Sequence, residues 1–506
     1  MPGREREDVR VTEEARADGP AVREQGRGRG RRRVPRDLRS LARRHRWFLV
    51  VLALGTLLRA LAMLGYRPAL WFPDTYTYVV TVFHPRPDLV RPAGYSMFIK
   101  LLEPLHSFAA VAAVQHLMGL AAGVLIYRVA RRAPRWVATL ATVPVLLDAY
   151  QVELEHLLVS DTLFMFLVVS AVALGATRRT GTAAAIGLLL AAATLTRTVG
   201  QPLIVVFAAW FLLRRRFRPT GALLAAALVP VVAYGAWFWV TYQRVGLVGA
   251  NGVFLYARTM SFADCAKMDP PADLKVLCDP RPPEQRPPSQ EYIWAKDAPI
   301  VQLPGITFTK ETDDLAARFA ARAILTQPLD YAASILDELA RTFRWDRPIY
   351  PDQEIYAYYE FPATPPGPPG RYPAQRGAEF AERYEQGAIG TEIVEPYAGW
   401  LRAYQDMARL PGPVLLAALL VPPVAALRRR RSGGRLPGGP YWVLPWSTAI
   451  VLLVTPAAAA EFDYRYVLPA VPLACLAAAL SIRPDLRSNA EGGKEFGDNI
   501  PPYVRS

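Results

Sequence analysis

Cysteine and histidine are scarce in this chain, at three and five among 506 residues. No CxxC or HExxH spacing occurs, so a dedicated zinc site has no sequence basis. Lysine is rare beside arginine, no internal repeat stands out, and the long central loop carries no N-glycosylation sequon. What the chain has in quantity is apolar length. Its residues are 52% hydrophobic, and runs long enough to cross a bilayer recur from end to end.

The net charge of +15 would suit a nucleic-acid partner, but its placement argues for no nucleic acid. Arginine clusters sit between apolar runs, at Arg128, Arg131, Arg132 and Arg135; Arg178 and Arg179; Arg214 to Arg216 and Arg218; and Arg428 to Arg431 and Arg435. None of them contains an acid. The positive-inside rule puts all of them in the cytoplasm, with the Arg-rich stretch before Trp47. Parity then predicts ten spans, near 46–66, 108–127, 136–150, 158–176, 183–196, 199–213, 220–240, 411–427, 441–457 and 467–483. The reading is an α-helical polytopic protein of the plasma membrane with both termini cytoplasmic. The polar stretch 148–156 is expected as an outer turn. Thr196-Arg197-Thr198 is expected as the outer tip of a hairpin with short, tilted legs.

Five regions follow: a disordered Arg-rich cytoplasmic tail (1–45), an N-terminal membrane module (46–240), an exterior loop domain (241–410), a C-terminal membrane module (411–483) and a second cytoplasmic tail (484–506). The exterior segment carries 18 Lys/Arg against 23 Asp/Glu, a net −5 that suits translocation. Helical spacing is predicted from Thr312, as N-cap, to Arg344, with Pro328 breaking the run or starting a second helix. Residues 361–375 read as a Pro/Gly-rich linker. Residues 392–409 read as an amphipathic helix that either lies in the membrane interface, through Trp400 and Tyr404, or packs on its own domain. Cys265 and Cys278 share this oxidising compartment and are close enough in sequence to pair.

The chemistry concentrates on one side. Asp74 and Arg91 follow the first span. Glu153, Glu155, His156 and Asp161 lie between the third and fourth, Arg197 tips a hairpin, and Glu461, Asp463 and Arg465 precede the last span. A polar cavity opening outward would gather them. A lipid-linked phosphosugar presents its phosphate at this depth. Its transfer needs a base for the acceptor hydroxyl and cations for the departing phosphate. Carboxylates and arginines supply both.

Pro73-Asp74-Thr75-x-x-Tyr78, followed by Arg91-Pro92-Ala93-Gly94-Tyr95, resembles the first outer loop of the GT-C membrane glycosyltransferases. The nearest branch is the family-39-like group of protein mannosyltransferases and lipid A aminoarabinose transferases. Ser160-Asp161-Thr162-Leu163-Phe164, Leu195-Thr196-Arg197 and Arg465-Tyr466-Val467-Leu468-Pro469 resemble further motifs of that superfamily. The similarity covers 46–213 best, 441–483 more weakly and 241–410 not at all.

The resemblance implies a GT-C-like helical bundle, a polyprenyl-phosphate-sugar donor, an envelope acceptor and the first-loop Asp as base, with inversion common in the family. Asp74 is then the catalytic residue. Arg197, Arg465 and Arg91 are the donor-phosphate set, and Glu155, Asp161, Tyr76, Tyr95 and Tyr466 serve the sugar or acceptor. Several relatives have adjacent acids where this chain has Thr75, so a two-carboxylate metal site lacks support there. No cofactor is required, and a divalent cation is compatible with the reading.

Plainer roles stand beside these. Asp74 can cap a helix, Arg91 and Arg197 can anchor to headgroups or snorkel, His156 can be structural, and tyrosines at this depth also form aromatic belts. Rival functions are a transporter or flippase, a polysaccharide polymerase or ligase, and an envelope scaffold without turnover.

Overall fold

In lipid every backbone polar group must be satisfied within its own segment, so apolar runs of this kind become helices. The computed structural model describes residues 43–364, 367, 372–431 and 441–482. Nearly all of the two expected tails, part of the 361–375 linker and Arg435 lie outside the described residues. The described residues from Arg46 onward form one unit.

Each of the ten apolar runs is helical. Among the described residues, five helices are long and apolar enough to cross a membrane: Arg46–Gly65, Phe108–Ala130, Phe217–Tyr242, Gly412–Arg431 and Tyr464–Ser481. Arg135–Leu147 and Ala149–His156 form a pair bent by 47°. The other four runs are shorter apolar helices, Asp161–Leu174, Thr180–Thr196, Thr198–Leu213 and Val443–Ala459.

The bend corrects one expectation. Residues 148–156 are not an exposed turn. Asp148 caps a new helix by accepting the N–H groups of Tyr150 and Gln151, and every residue of Ala149–His156 is buried. A polar helix can be buried only if its side chains find partners, and most of these do.

The central core lies between the apolar helices, among residues such as Ile126, Leu146, Phe164, Leu190, Phe207 and Leu473. A second core lies beneath the loop after the first apolar helix, where Tyr66, Leu70 and Phe72 pack with Tyr356, Tyr359, Phe361 and Leu401 of the 241–410 segment. In a third, Trp71, Tyr76 and Val79 meet Ala381 and Tyr384. A two-residue antiparallel pair, Tyr66–Arg67 against Glu392–Ile393, clips the same two loops together.

The 241–410 segment therefore divides in function. Residues around Val253, Tyr256, Phe262 and Phe319 make a core of their own, beside the Cys265–Cys278 disulfide. The stretch from about 350 to 405 instead covers the membrane module. The helix Lys310–Thr326 is capped by Thr309, whose hydroxyl accepts the Thr312 N–H, so Thr312 is its third residue and not its cap. Pro328 opens the next helix, Pro328–Thr342. In Tyr397–Gln405 both expected faces exist: Ala398 and Leu401 are buried, and Trp400 is exposed.

Candidate active site

The short helix Pro73–Phe83 begins with proline at its first position, where no N–H is needed. Capping then falls to Thr75. Its hydroxyl accepts the Phe72 N–H at 3.1 Å and donates to the Leu158 carbonyl at 2.8 Å. Asp74 is thus released from the capping role that the sequence left open to it. Its Oδ1 accepts from Nη2 of Arg91, and its Oδ2 from Nη1 of Arg465 at 3.3 Å. Arg91 is aimed by Asp88, which accepts the N–H groups of Val90 and Arg91 at 2.8 Å each.

Gly94 brings this loop against the hairpin. A Cβ there would lie 2.4 Å from the Leu195 carbonyl oxygen, a contact only glycine can make. Two residues on, Arg197 ends its helix with extended backbone and pairs through Nη1 with Oδ1 of Asp161. Oδ2 of Asp161 is buried with no hydrogen-bond partner. The Arg197 guanidinium lies 4.8 Å from the Tyr466 ring centre, and that of Arg465 lies 5.2 Å from the same ring. Arg465 is held in turn by Asp463, which accepts its backbone N–H at 3.1 Å and its Nε at 3.0 Å, while Tyr359 donates to the same carboxylate at 2.7 Å.

Three guanidinium groups and three carboxylates from four distant stretches of chain therefore meet around Asp74. Burial pushes the Asp74 carboxyl up, but Arg91 and Arg465 together outweigh it and hold it below the ordinary carboxylate range. At neutral pH the group is ionised. Beside the cluster, a small crevice of about 10 Å³ is lined mainly by apolar side chains, including Leu339, Leu452, Leu453 and Val467, and reaches Asp463 and Tyr466.

Asp74, Arg91, Asp161, Arg197, Arg465 and Tyr466 thus converge. Glu155, Tyr76 and Tyr95 do not, which corrects the roles expected of them. Glu155 receives two hydrogen bonds of 2.7 Å from Arg59, a residue of the first apolar helix. The remaining Arg59 donors reach the carbonyls of Gly55, Val145 and Leu146, so all its N–H groups are used. Gly119 makes room for this carboxylate, since a Cβ there would come within 1.9 Å of it.

His116 Nδ1 lies 3.1 Å from Glu155 Oε2, and His116 Nε2 lies 3.1 Å from His156 Nδ1, whose Nε2 faces the Tyr66 carbonyl at 2.6 Å. A carbonyl only accepts, so His156 carries its proton on Nε2 and His116 must donate to it. This assembly braces the bundle. Tyr76 stacks on Trp71 at 5.3 Å, and Tyr95 donates to Gln115 at 2.7 Å, both within the core. Tyr78 borders the charge cluster in their place, its hydroxyl 3.3 Å from Ser160.

Two contributors escaped the sequence reading. Tyr359 comes from the exterior segment, where an aromatic run at Tyr350, Tyr356, Tyr358 and Tyr359 was the available signal. Arg59 had a clearer one, because a guanidinium inside an apolar run demands a partner. Among the described residues, no group of three or more His, Cys, Asp or Glu side chains is placed to hold a metal ion.

No protein-family model matches this chain, and neither does any curated protein. Two solved structures show some likeness. One is an S. cerevisiae protein O-mannosyltransferase complex bound to the sugar donor, at 17% identity and a TM-score of 0.31, over 42% of this chain. The chain covers 36% of that structure's length. The other is ArnT from Cupriavidus metallidurans bound to undecaprenyl phosphate, at 13% identity and a TM-score of 0.32, covering 86% of this chain and 77% of that one.

Proposed function

We propose that this protein transfers a sugar from a polyprenyl-phosphate-linked donor to an envelope acceptor at the exterior face of the plasma membrane, with Asp74 as the base. The observation that carries the reading is an ionised, buried Asp74 held between Arg91 and Arg465, with Arg197 and Tyr466 alongside. A carboxylate and several guanidinium groups are what a reaction with a hydroxyl nucleophile and a phosphate leaving group requires. The motif resemblance of the first outer loop supports the same chemistry.

The acceptor O–H gives its proton to Asp74 as its oxygen bonds to the anomeric carbon. The bond from that carbon to the phosphate oxygen breaks, and its electron pair leaves on the polyprenyl phosphate. Arg465 and Arg197 neutralise the charge that develops there.

Arg465 has a second task. It holds Asp74 at 3.3 Å, the looser of the two contacts. A phosphate that recruits this guanidinium frees one Asp74 oxygen for the acceptor and raises its basicity, so donor binding arms the base. Replacing Arg465 or Arg197 by Gln should weaken undecaprenyl phosphate binding by about tenfold or more, the worth of a charge-assisted hydrogen bond. Titration of the purified protein in nanodiscs reads this directly. Wild-type affinity in both variants would refute the phosphate site.

Transport is the rival from another class. Transporters place their ionisable residues near the midplane between repeats, whereas this cluster draws on the ends of helices and on loops.

A further inference from the structure

A second polar site lies where the 241–410 segment meets the buried helix Ala149–His156. Tyr150 and Glu153 sit at i and i+3 on the buried helix Ala149–His156 and therefore share a face. The Arg347 guanidinium, from the exterior segment, covers the Tyr150 ring at 3.9 Å and approaches the Tyr464 ring at 4.3 Å. The charges of Arg347, Glu360 and Arg409 all bear on Glu153. Yet both carboxylate oxygens of Glu153, the Tyr150 hydroxyl, and Nε and Nη2 of Arg347 are buried without a hydrogen-bond partner.

That is a costly arrangement. A buried carboxylate and a buried guanidinium a turn apart would ordinarily close into an ion pair. Arg59 does so with Glu155 at 2.7 Å in the same protein, and the partly exposed Arg409 and Glu360 pair at 2.7 Å as well. Arg347 and Glu153 instead stand off, each presenting unused donors or acceptors. A ligand that satisfies both must carry donors and acceptors on adjacent atoms. Its body must also tolerate the Tyr150 and Tyr464 rings. Vicinal hydroxyls of a sugar ring meet both conditions, since each O–H can donate to Glu153 while its oxygen accepts from Arg347 or Tyr150. A simple anion would meet Arg347 but leave the Glu153 carboxyl and the Tyr150 hydroxyl without partners.

The site adjoins the Asp74 cluster through shared residues. The Tyr150 ring lies 5.5 Å from that of Tyr359, whose hydroxyl reaches the Asp463 carboxylate that holds Arg465.

We propose that Glu153, Arg347 and Tyr150 form a carbohydrate subsite that grips the hydroxyls of a sugar ring next to the reaction centre. The proposal rests on the glycosyl-transfer reading. The gripped ring belongs either to the donor's sugar or to a sugar of the acceptor.

The test uses the full-length protein in nanodiscs with three kinds of probe: undecaprenyl phosphate, its mannosyl and glucosyl esters, and methyl mannoside and methyl glucoside. Glu153→Gln keeps the side-chain volume. Arg347→Gln and Tyr150→Phe alter the site from outside the helix or by a single oxygen, which guards against a folding defect in any one variant. Each variant should weaken sugar-bearing probes by about tenfold in Kd. Undecaprenyl phosphate binding and thermal unfolding should stay at wild-type values.

Loss confined to the lipid-linked sugars assigns the subsite to the donor, and loss confined to the methyl glycosides assigns it to the acceptor; either upholds it. Wild-type affinity for every sugar probe in all three variants would overturn it, as would a wild-type protein that binds no sugar probe. Binding of methyl glycosides through Glu153 and Arg347 without any affinity for undecaprenyl phosphate would uphold the sugar site and sink the glycosyl-transfer reading.

Discussion

Asp74 is the residue whose environment is easiest to perturb in a known direction. Burial favours its neutral form, while Arg91 and Arg465 favour its charge and prevail. In the free enzyme its protonation therefore falls below the ordinary aspartate value of about 3.9. The acid limb of kcat/KM should lie correspondingly low, because that parameter reports the free enzyme's groups. Arg91→Gln removes the larger of the two charge effects and leaves burial opposed by Arg465 alone. The acid limb should then move to higher pH, and a limb that stays in place in pH–rate profiles of the two enzymes would show that Asp74 is not the titrating base. Thr75 explains why this carboxylate is free for chemistry. Its hydroxyl takes the Phe72 N–H at the helix entrance, so the Asp74 carboxylate is not drawn into that bond. The sequence left a capping role open to Asp74, and only the side-chain directions decide against it.

The buried helix Ala149–His156 is the element that sequence reasoning read least well. Hydropathy marks 148–156 as polar, and polar stretches between apolar runs are ordinarily turns. What reverses this is pairing at long range. Gln115 donates to the Glu155 and Leu157 carbonyls at 2.9 Å, and Arg59 engages Glu155 from 96 residues away. No local pattern encodes such partners, although Arg59 within an apolar run announced that one was needed. The Arg59–Glu155 pair is buried on both sides, so removing one member strands the other. Glu155→Ala should lower stability by about 3–5 kcal/mol, read as a drop in thermal unfolding temperature in detergent. Arg59→Ala should cost a similar amount, and the double variant much less than their sum, since the two act as a unit. Additive losses would show that the pair does not brace the bundle.

Across the whole molecule, the apolar runs were legible because hydropathy and charge parity are summed over many residues. All ten became helices even where single boundaries shifted. The 241–410 segment was less legible. Its second half packs over the loop after the first apolar helix, and that docking depends on aromatic and apolar contacts between stretches hundreds of residues apart. A separate contact holds the segment to the stretch before the last apolar helix, where Glu461 accepts the N–H groups of Ser289 and Gln290 and the Tyr350 hydroxyl. Burial pushes its carboxyl up to about 8. The docked state therefore keeps a proton that the undocked state releases near the usual glutamate value of about 4.3. Docking stability should fall as pH rises from there through about 8. Hydrogen exchange at Ser289 and Gln290, corrected for intrinsic rates, should show protection declining over that window. Glu461→Gln should flatten it, and an unchanged profile would exclude Glu461 as the cause. The measurement that bears most directly on the whole account is turnover. Purified protein is supplied with radiolabelled polyprenyl-phosphate sugars and an envelope acceptor fraction, and transferred label is counted. The account predicts transfer by the wild type and a loss of about a hundredfold or more in a folded Asp74→Asn variant. Wild-type turnover by that variant would contradict it.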